Sequence, residues 1–144
     1  MWQSEPIDLL IDIPAGRRVC AAGVDLCDAP KLARAVARTG PALARRVFDD
    51  RERAACADGT DPLATALLFG IKESVIKLVG GLPAGGAFHD IRIGVDEPAL
   101  PVTLTGGLAG WAAAHPAGIV AGGRPLPDPG VVLCWALATE EAAC

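Results

Sequence analysis

The sequence predicts a single α+β domain with helices packed on an antiparallel sheet. Three observations point there. Helix start and stop signals crowd residues 28–81, and alternating or unbroken apolar runs crowd residues 90–139. The length of 144 residues suits one domain spanning 1–144.

The elements follow in chain order. Residues 1–18 form an N-terminal extension with no assigned role. Within it Ile7, Leu9, Ile11 and Ile13 alternate with Asp8, Leu10 and Asp12, which predicts an edge strand closed by a turn at Pro14-Ala15-Gly16. Arg17 to Ala22 leads into Gly23-Val24-Asp25, a short apolar strand ending in a carboxylate. Asp28 caps a helix from about Ala29 to Thr39, stopped by Gly40-Pro41. A short helix follows from Ala42 to Val47. Asp49 and Glu52 have the capping-box spacing for another, which ends near Gly59.

The longest helix runs from Pro62 to Val79, with Asp61 as N-cap and Gly80-Gly81 as the stop. Ala64, Leu68, Ile71, Val75 and Leu78 make its apolar face, while Phe69, Glu73 and Lys77 share another. Asp90 to Val95 alternates as a strand, and Pro101 to Thr105 reads as its partner. Gly107 to His115 is an Ala-rich helix ended by Pro116, and Ala117 to Ala121 a strand. Gly122 to Gly130, with three prolines, reads as a loop before a last strand from Val131 to Thr139.

Composition excludes several functions. A net charge of -4 argues against a general nucleic-acid binder. The longest apolar run, Val131 to Ala138, is too short to span a membrane, and no basic and apolar leader opens the chain. Five cysteines without a C-x-x-C spacing suit free thiols in the cytoplasm. Only Ser4 and Ser74 are present and no G-x-S-x-G, which argues against an internal serine nucleophile. Neither His89 nor His115 has metal-ligand spacing, and the glycines at 80–86 precede no G-K-S/T.

What remains is Asp25 at a strand end, and Glu73 on a helix with Lys77 one turn beyond. Two hard oxygen donors and an ammonium are what a magnesium-phosphate site needs. Lys31, Arg34, Arg38, Arg45 and Arg46 add a basic stretch with no acidic residue between Lys31 and Arg46. It reads equally as a solvated helix face or as a dock for an acidic partner.

Three segments then stand in order: G-V-D at 23–25, F-G-I-K-E-S-V-I-K at 69–77 and F-H-D-I-R-I at 88–93. Together they resemble the 4′-phosphopantetheinyl transferases of the small holo-acyl-carrier-protein synthase type. The resemblance implies that fold, with Asp25 and Glu73 holding Mg²⁺ on coenzyme A. It implies phosphate contacts from Lys72 and Lys77, and Glu73 as the group that deprotonates a carrier serine. It also implies that Lys31, Arg34 and Arg38 dock an acyl carrier protein, and a homotrimer with sites between subunits. The family's late S-x-S-H segment is absent; Gly122-Gly123-Arg124-Pro125 stands there, and Arg124 is the residue expected to contact coenzyme A in its place, with Lys31 where an arginine is usual. A catalytically degenerate carrier-binding module and a structural trimer are the alternatives.

Overall fold

The structure, a computed structural model, describes residues 11–142. Its sheet has five antiparallel strands in the order β1-β5-β4-β3-β2: β1 is Arg17–Asp28, β2 Ile91–Ile93, β3 Val102–Leu104, β4 Gly118–Pro125 and β5 Val131–Glu141. Four helices separate β1 from β2: α1 (Ala29–Thr39), α2 (Pro41–Val47), α3 (Asp50–Ala55) and α4 (Pro62–Val79); α5 (Ala109–Ala114) precedes β4. The α+β expectation holds, with one difference of order. The first strand is early in the chain and pairs along its whole length with the last, from Arg17↔Glu141 to Asp28↔Val131.

Local chemistry sets the helix boundaries. Asp28 accepts from the Lys31 backbone, Asp61 accepts from that of Ala64, and Asp49 with Glu52 closes a capping box. Gly80 ends α4 in the left-handed region at φ 89°, where an L side chain would be strained. α4 lies on one sheet face. Its Leu68, Ile71 and Val75 are buried with Cys27, Cys134, Ala136 and Ile91. On the opposite face Leu133, Trp135 and Leu137 form a separate buried cluster with Ile11, Val19, Val120 and Leu126 against it.

Several boundaries differ from the expectation. β1 reaches Asp28, because its ladder with β5 continues to the residue that caps α1. β4 continues through Gly122, Gly123, Arg124 and Pro125, which were expected in a loop, because β5 pairs with each of them. The glycine at 122 lets strand and indole meet: a Cβ there would overlap the Trp135 ring. β2 shrinks to Ile91–Ile93, since Asp90 belongs to a 3₁₀ turn and accepts from the Ala87 and Gly107 backbones. Residues 11–13 are not a strand, and residues 7–10 of the expected edge strand lie outside the described residues; the turn at 14–17 does form, Arg17 donating to the Pro14 carbonyl.

Cys20, Cys27, Cys56 and Cys134 are free thiols, and Cys144 lies outside the described residues. Burial pushes Cys27 up to about 11 and Cys134 up to about 12, which leaves both unreactive at neutral pH. Among the described residues, no helix is long and apolar enough to cross a membrane.

Candidate active site

The site begins with a close approach of backbones. A Cβ at Gly23 would overlap the Ser74 carbonyl, so only glycine lets β1 lie this near to α4. Side chains alternate along a strand, so Asp25, two residues on, faces the same way as Gly23. Glu73 immediately precedes Ser74 on α4. Both carboxylates consequently open into one cleft of about 360 Å³, with Lys31, Leu32 and Ala35 of α1 and Phe69 of α4 on its walls.

The electrostatics of this cleft are those of paired acids. Burial raises the Glu73 carboxyl above the ordinary carboxylate range, the charge of Asp25 raises it further, and Lys77 partly opposes the rise. Lys77 donates to Asp25 Oδ1 at 2.9 Å and to the Val24 carbonyl at 3.1 Å. That hydrogen bond to Asp25 raises the Lys77 ammonium above its usual value. Side-chain exposure is 18% for Asp25 and 55% for Lys77, so the acid is recessed and the ammonium stands at the rim. Lys31 is exposed beside them, and with Arg34 and Arg38 it forms one basic strip along α1. Two carboxylate oxygen donors beside open solvent suit Mg²⁺, which keeps most of its waters and takes one or two protein carboxylates. Among the described residues no group of three or more His, Cys, Asp or Glu side chains could hold a metal ion; Asp25 and Glu73 offer a pair of carboxylates in this cleft, which Asp28 also lines.

Two expected site residues do not join the cleft. Lys72 was expected to contact phosphates, yet its side chain has 0% exposure. Its ammonium donates to the Val47 carbonyl at 2.8 Å, Glu52 Oε1 at 2.7 Å and the Phe88 carbonyl at 3.1 Å, which exhausts its three donors. It points inward because it lies about 100° around the helix from Glu73, on the flank of the apolar face. Arg124 projects from β4 on the sheet face opposite α4, over the Trp135 ring, and pairs with Asp12 at 2.9 Å. Within one chain it does not reach the cleft.

Glu52 was read from sequence as a helix cap alone. It is that, but it is also fully buried, and its second oxygen accepts from the Ile93 backbone at 2.9 Å. The signal that could have exposed this role was Lys72 itself. A lysine beside Leu68, Ile71 and Val75 on a buried helix face requires an acidic partner from elsewhere in the chain.

Residues 21–115 match the family model for the 4′-phosphopantetheinyl transferase superfamily. The chain belongs to this superfamily. The matched segment takes in Asp25, Lys31, Glu73 and Lys77 and stops before Arg124. A holo-[acyl-carrier-protein] synthase of Methylobacterium radiotolerans is 38% identical over 109 residues, covering 71% of this chain and 74% of that protein. One from Roseiflexus castenholzii is 35% identical over 93 residues, covering 60% and 67% respectively. Among solved structures, the Helicobacter pylori holo-[acyl-carrier-protein] synthase in complex with coenzyme A superposes with a TM-score of 0.68 at 20% identity, over 83% of this chain and 99% of that one. The Neisseria meningitidis synthase does so at 0.66 and 20%, over 86% and 100%. At such identities the superpositions show a shared fold, which is that of the superfamily.

Proposed function

We propose that this protein transfers 4′-phosphopantetheine from coenzyme A to a serine of an apo acyl carrier protein of the fatty acid or polyketide type, releasing 3′,5′-adenosine bisphosphate. The observation that carries the proposal is the cleft itself. Asp25 and Glu73 both line it, Lys31 stands on its wall and Lys77 is paired with Asp25, in a chain of this superfamily. The names of the relatives and the coenzyme A bound to the Helicobacter pylori protein support the same activity.

Asp25 and Glu73 would hold Mg²⁺, which when bound neutralises charge on the pyrophosphate. Glu73, whose carboxyl burial raises above the ordinary carboxylate range, accepts the proton of the carrier serine, directly or through a water. The serine oxygen bonds to the β-phosphorus, and the bond from that phosphorus to the bridging oxygen breaks. The electron pair leaves with adenosine bisphosphate, on which Lys77 offsets the negative charge. Lys31, Arg34 and Arg38 present the strip on which an acidic carrier docks. The protein supplies no nucleophile of its own, which agrees with the scarcity of serine and histidine in the chain. We place the enzyme in the cytoplasm as a homotrimer with sites between subunits. In that assembly Arg124 would reach coenzyme A only across a subunit boundary.

The test is the intact mass of an apo carrier protein after incubation with this protein, coenzyme A and Mg²⁺. A gain of one phosphopantetheine, abolished by EDTA and by Glu73→Ala in a correctly folded variant, is expected. Retained transfer by Glu73→Ala overturns the assignment. A second reading, a degenerate module that binds carriers without modifying them, is favoured by Arg124, whose guanidinium is committed to Asp12 where the family has S-x-S-H. Carrier binding without any mass gain over several carriers would support it.

A further inference from the structure

The buried pair of Glu52 and Lys72 is the feature that the transfer chemistry leaves unused. Its hydrogen bonds gather five segments at one point. Lys72 comes from α4, Val47 from the end of α2, Glu52 from α3, Phe88 from the 3₁₀ turn before β2, and Ile93 from β2. Both side chains have 0% exposure. Phe48, beside Val47, adds its ring 5.6 Å from the ammonium.

Stability alone does not explain the pair. A buried ion pair gains little over apolar residues of similar volume, because each charge must be stripped of water. What it supplies is direction: three acceptors at fixed positions hold one ammonium in one place. Lys72 is the residue immediately before Glu73. A helix turning about 20° on its axis would swing a carboxylate at its outer radius by about 2 Å, enough to spoil a shared metal site. The same bonds fix Phe88, whose ring stacks on Phe69 at 5.8 Å, and Phe69 is a wall of the cleft.

We propose that Glu52 and Lys72 are positioning residues: the buried pair fixes the rotation of α4, and with it the place of the Glu73 carboxylate opposite Asp25. This inference rests on the proposed transferase reading. The geometry assigns Lys72 to holding the helix that carries the chemistry, and Glu52 to holding Lys72.

The test is Mn²⁺ titration, by calorimetry, of protein saturated with coenzyme A. The double variant Glu52→Gln/Lys72→Met removes both charges and keeps side-chain volume. It is expected to bind Mn²⁺ at least about tenfold more weakly, the range seen when groups that orient metal ligands are removed. Ile119→Ala serves as the control for a general loss of stability. Ile119 is buried on β4, in register through Ala138 with Ala21, four residues before Asp25 on β1. It is expected to lower the melting temperature without changing Mn²⁺ affinity. Unaltered Mn²⁺ affinity in the folded double variant overturns the inference, as does an equal loss in Ile119→Ala. Should the double variant not fold, Glu52→Asp keeps both charges and shortens the arm by one methylene. Its Mn²⁺ affinity is then expected to fall, and an unchanged value overturns the inference. Wild-type protein that binds no Mn²⁺ would instead sink the transferase reading.

Discussion

Lys72 and Lys77 lie on the same helix and in the same motif, yet the two sides of α4 on which they stand work in opposite ways. On one side the ammonium is enclosed, has spent every donor, and meets a carboxylate that is itself enclosed. On the other the ammonium is 55% exposed and holds one recessed carboxylate and one carbonyl. Burial pushes the Lys72 ammonium below its usual value, against the pull of Glu52, whereas Lys77 is raised by its bond to Asp25. The difference teaches that five residues of helix suffice to separate a charge enclosed in the fold from a charge left open to solvent. Exposure decides which is which.

The comparison is broken most forcefully from the buried side. Lys72→Met leaves the Glu52 carboxylate buried without its counter-ion and the Val47 and Phe88 carbonyls without donors. A loss of about 3–5 kcal/mol is expected, the scale for breaking a buried pair by removing one partner. Thermal unfolding checks it, and a melting temperature within a few degrees of the wild type would contradict the enclosure described above.

Lys77→Met is the matching change on the exposed side. Its ammonium is more than half exposed, so stability should move by less than about 1 kcal/mol. Transfer should nevertheless fall roughly 100-fold, the scale for removing one preorganised group that stabilises charge in a transition state. In the proposed site a divalent cation would compete with this ammonium for the Asp25 carboxylate, so Mn²⁺ binding without coenzyme A should tighten in this variant. Weaker Mn²⁺ binding by Lys77→Met would show that the lysine does not compete there.

Glu73→Gln has the smallest expected effect on stability and an informative sign. Burial and Asp25 raise the Glu73 carboxyl in the folded protein, so the unfolded chain gives up its proton at lower pH. The folded state therefore loses stability as pH rises from the ordinary carboxylate value through the raised one, and the cost is complete above it. Replacing the acid should raise the melting temperature at pH 7–8 by less than about 4 °C, and by nothing below the ordinary carboxylate range. A variant less stable than wild type at neutral pH would show that the charge is welcome where it stands.

Much of this molecule was legible in the sequence, for local reasons. Asp28, Asp49 and Asp61 stand where helix starts need side-chain acceptors, and α1, α3 and α4 begin beside them. The periodicity of Leu68, Ile71 and Val75 marked the buried face of α4, and Glu73 and Lys77 the open one. The strand ending in Asp25 was visible too, although its true end at Asp28 depends on its partner β5. Helix caps and amphipathic periods are interactions within a few residues, so sequence alone determines them.

The remainder depended on residues distant in the chain. Nothing near Gly23 reveals that its missing Cβ lets Asp25 approach Glu73, or that the strand carrying it pairs with β5 beneath α4. Gly122 and Gly123 read as loop because the pairing that makes them strand, and the Trp135 ring that fills the space over Gly122, belong to β5. Glu52 read as a cap because its other partners, Lys72 and Ile93, are 20 and 41 residues away. Sequence by itself determined the helices, the open face of α4 and the two acids to which the proposed chemistry is assigned. Only the tertiary structure decided which lysine is enclosed and which is free, because burial is set by what the rest of the chain packs against each side chain.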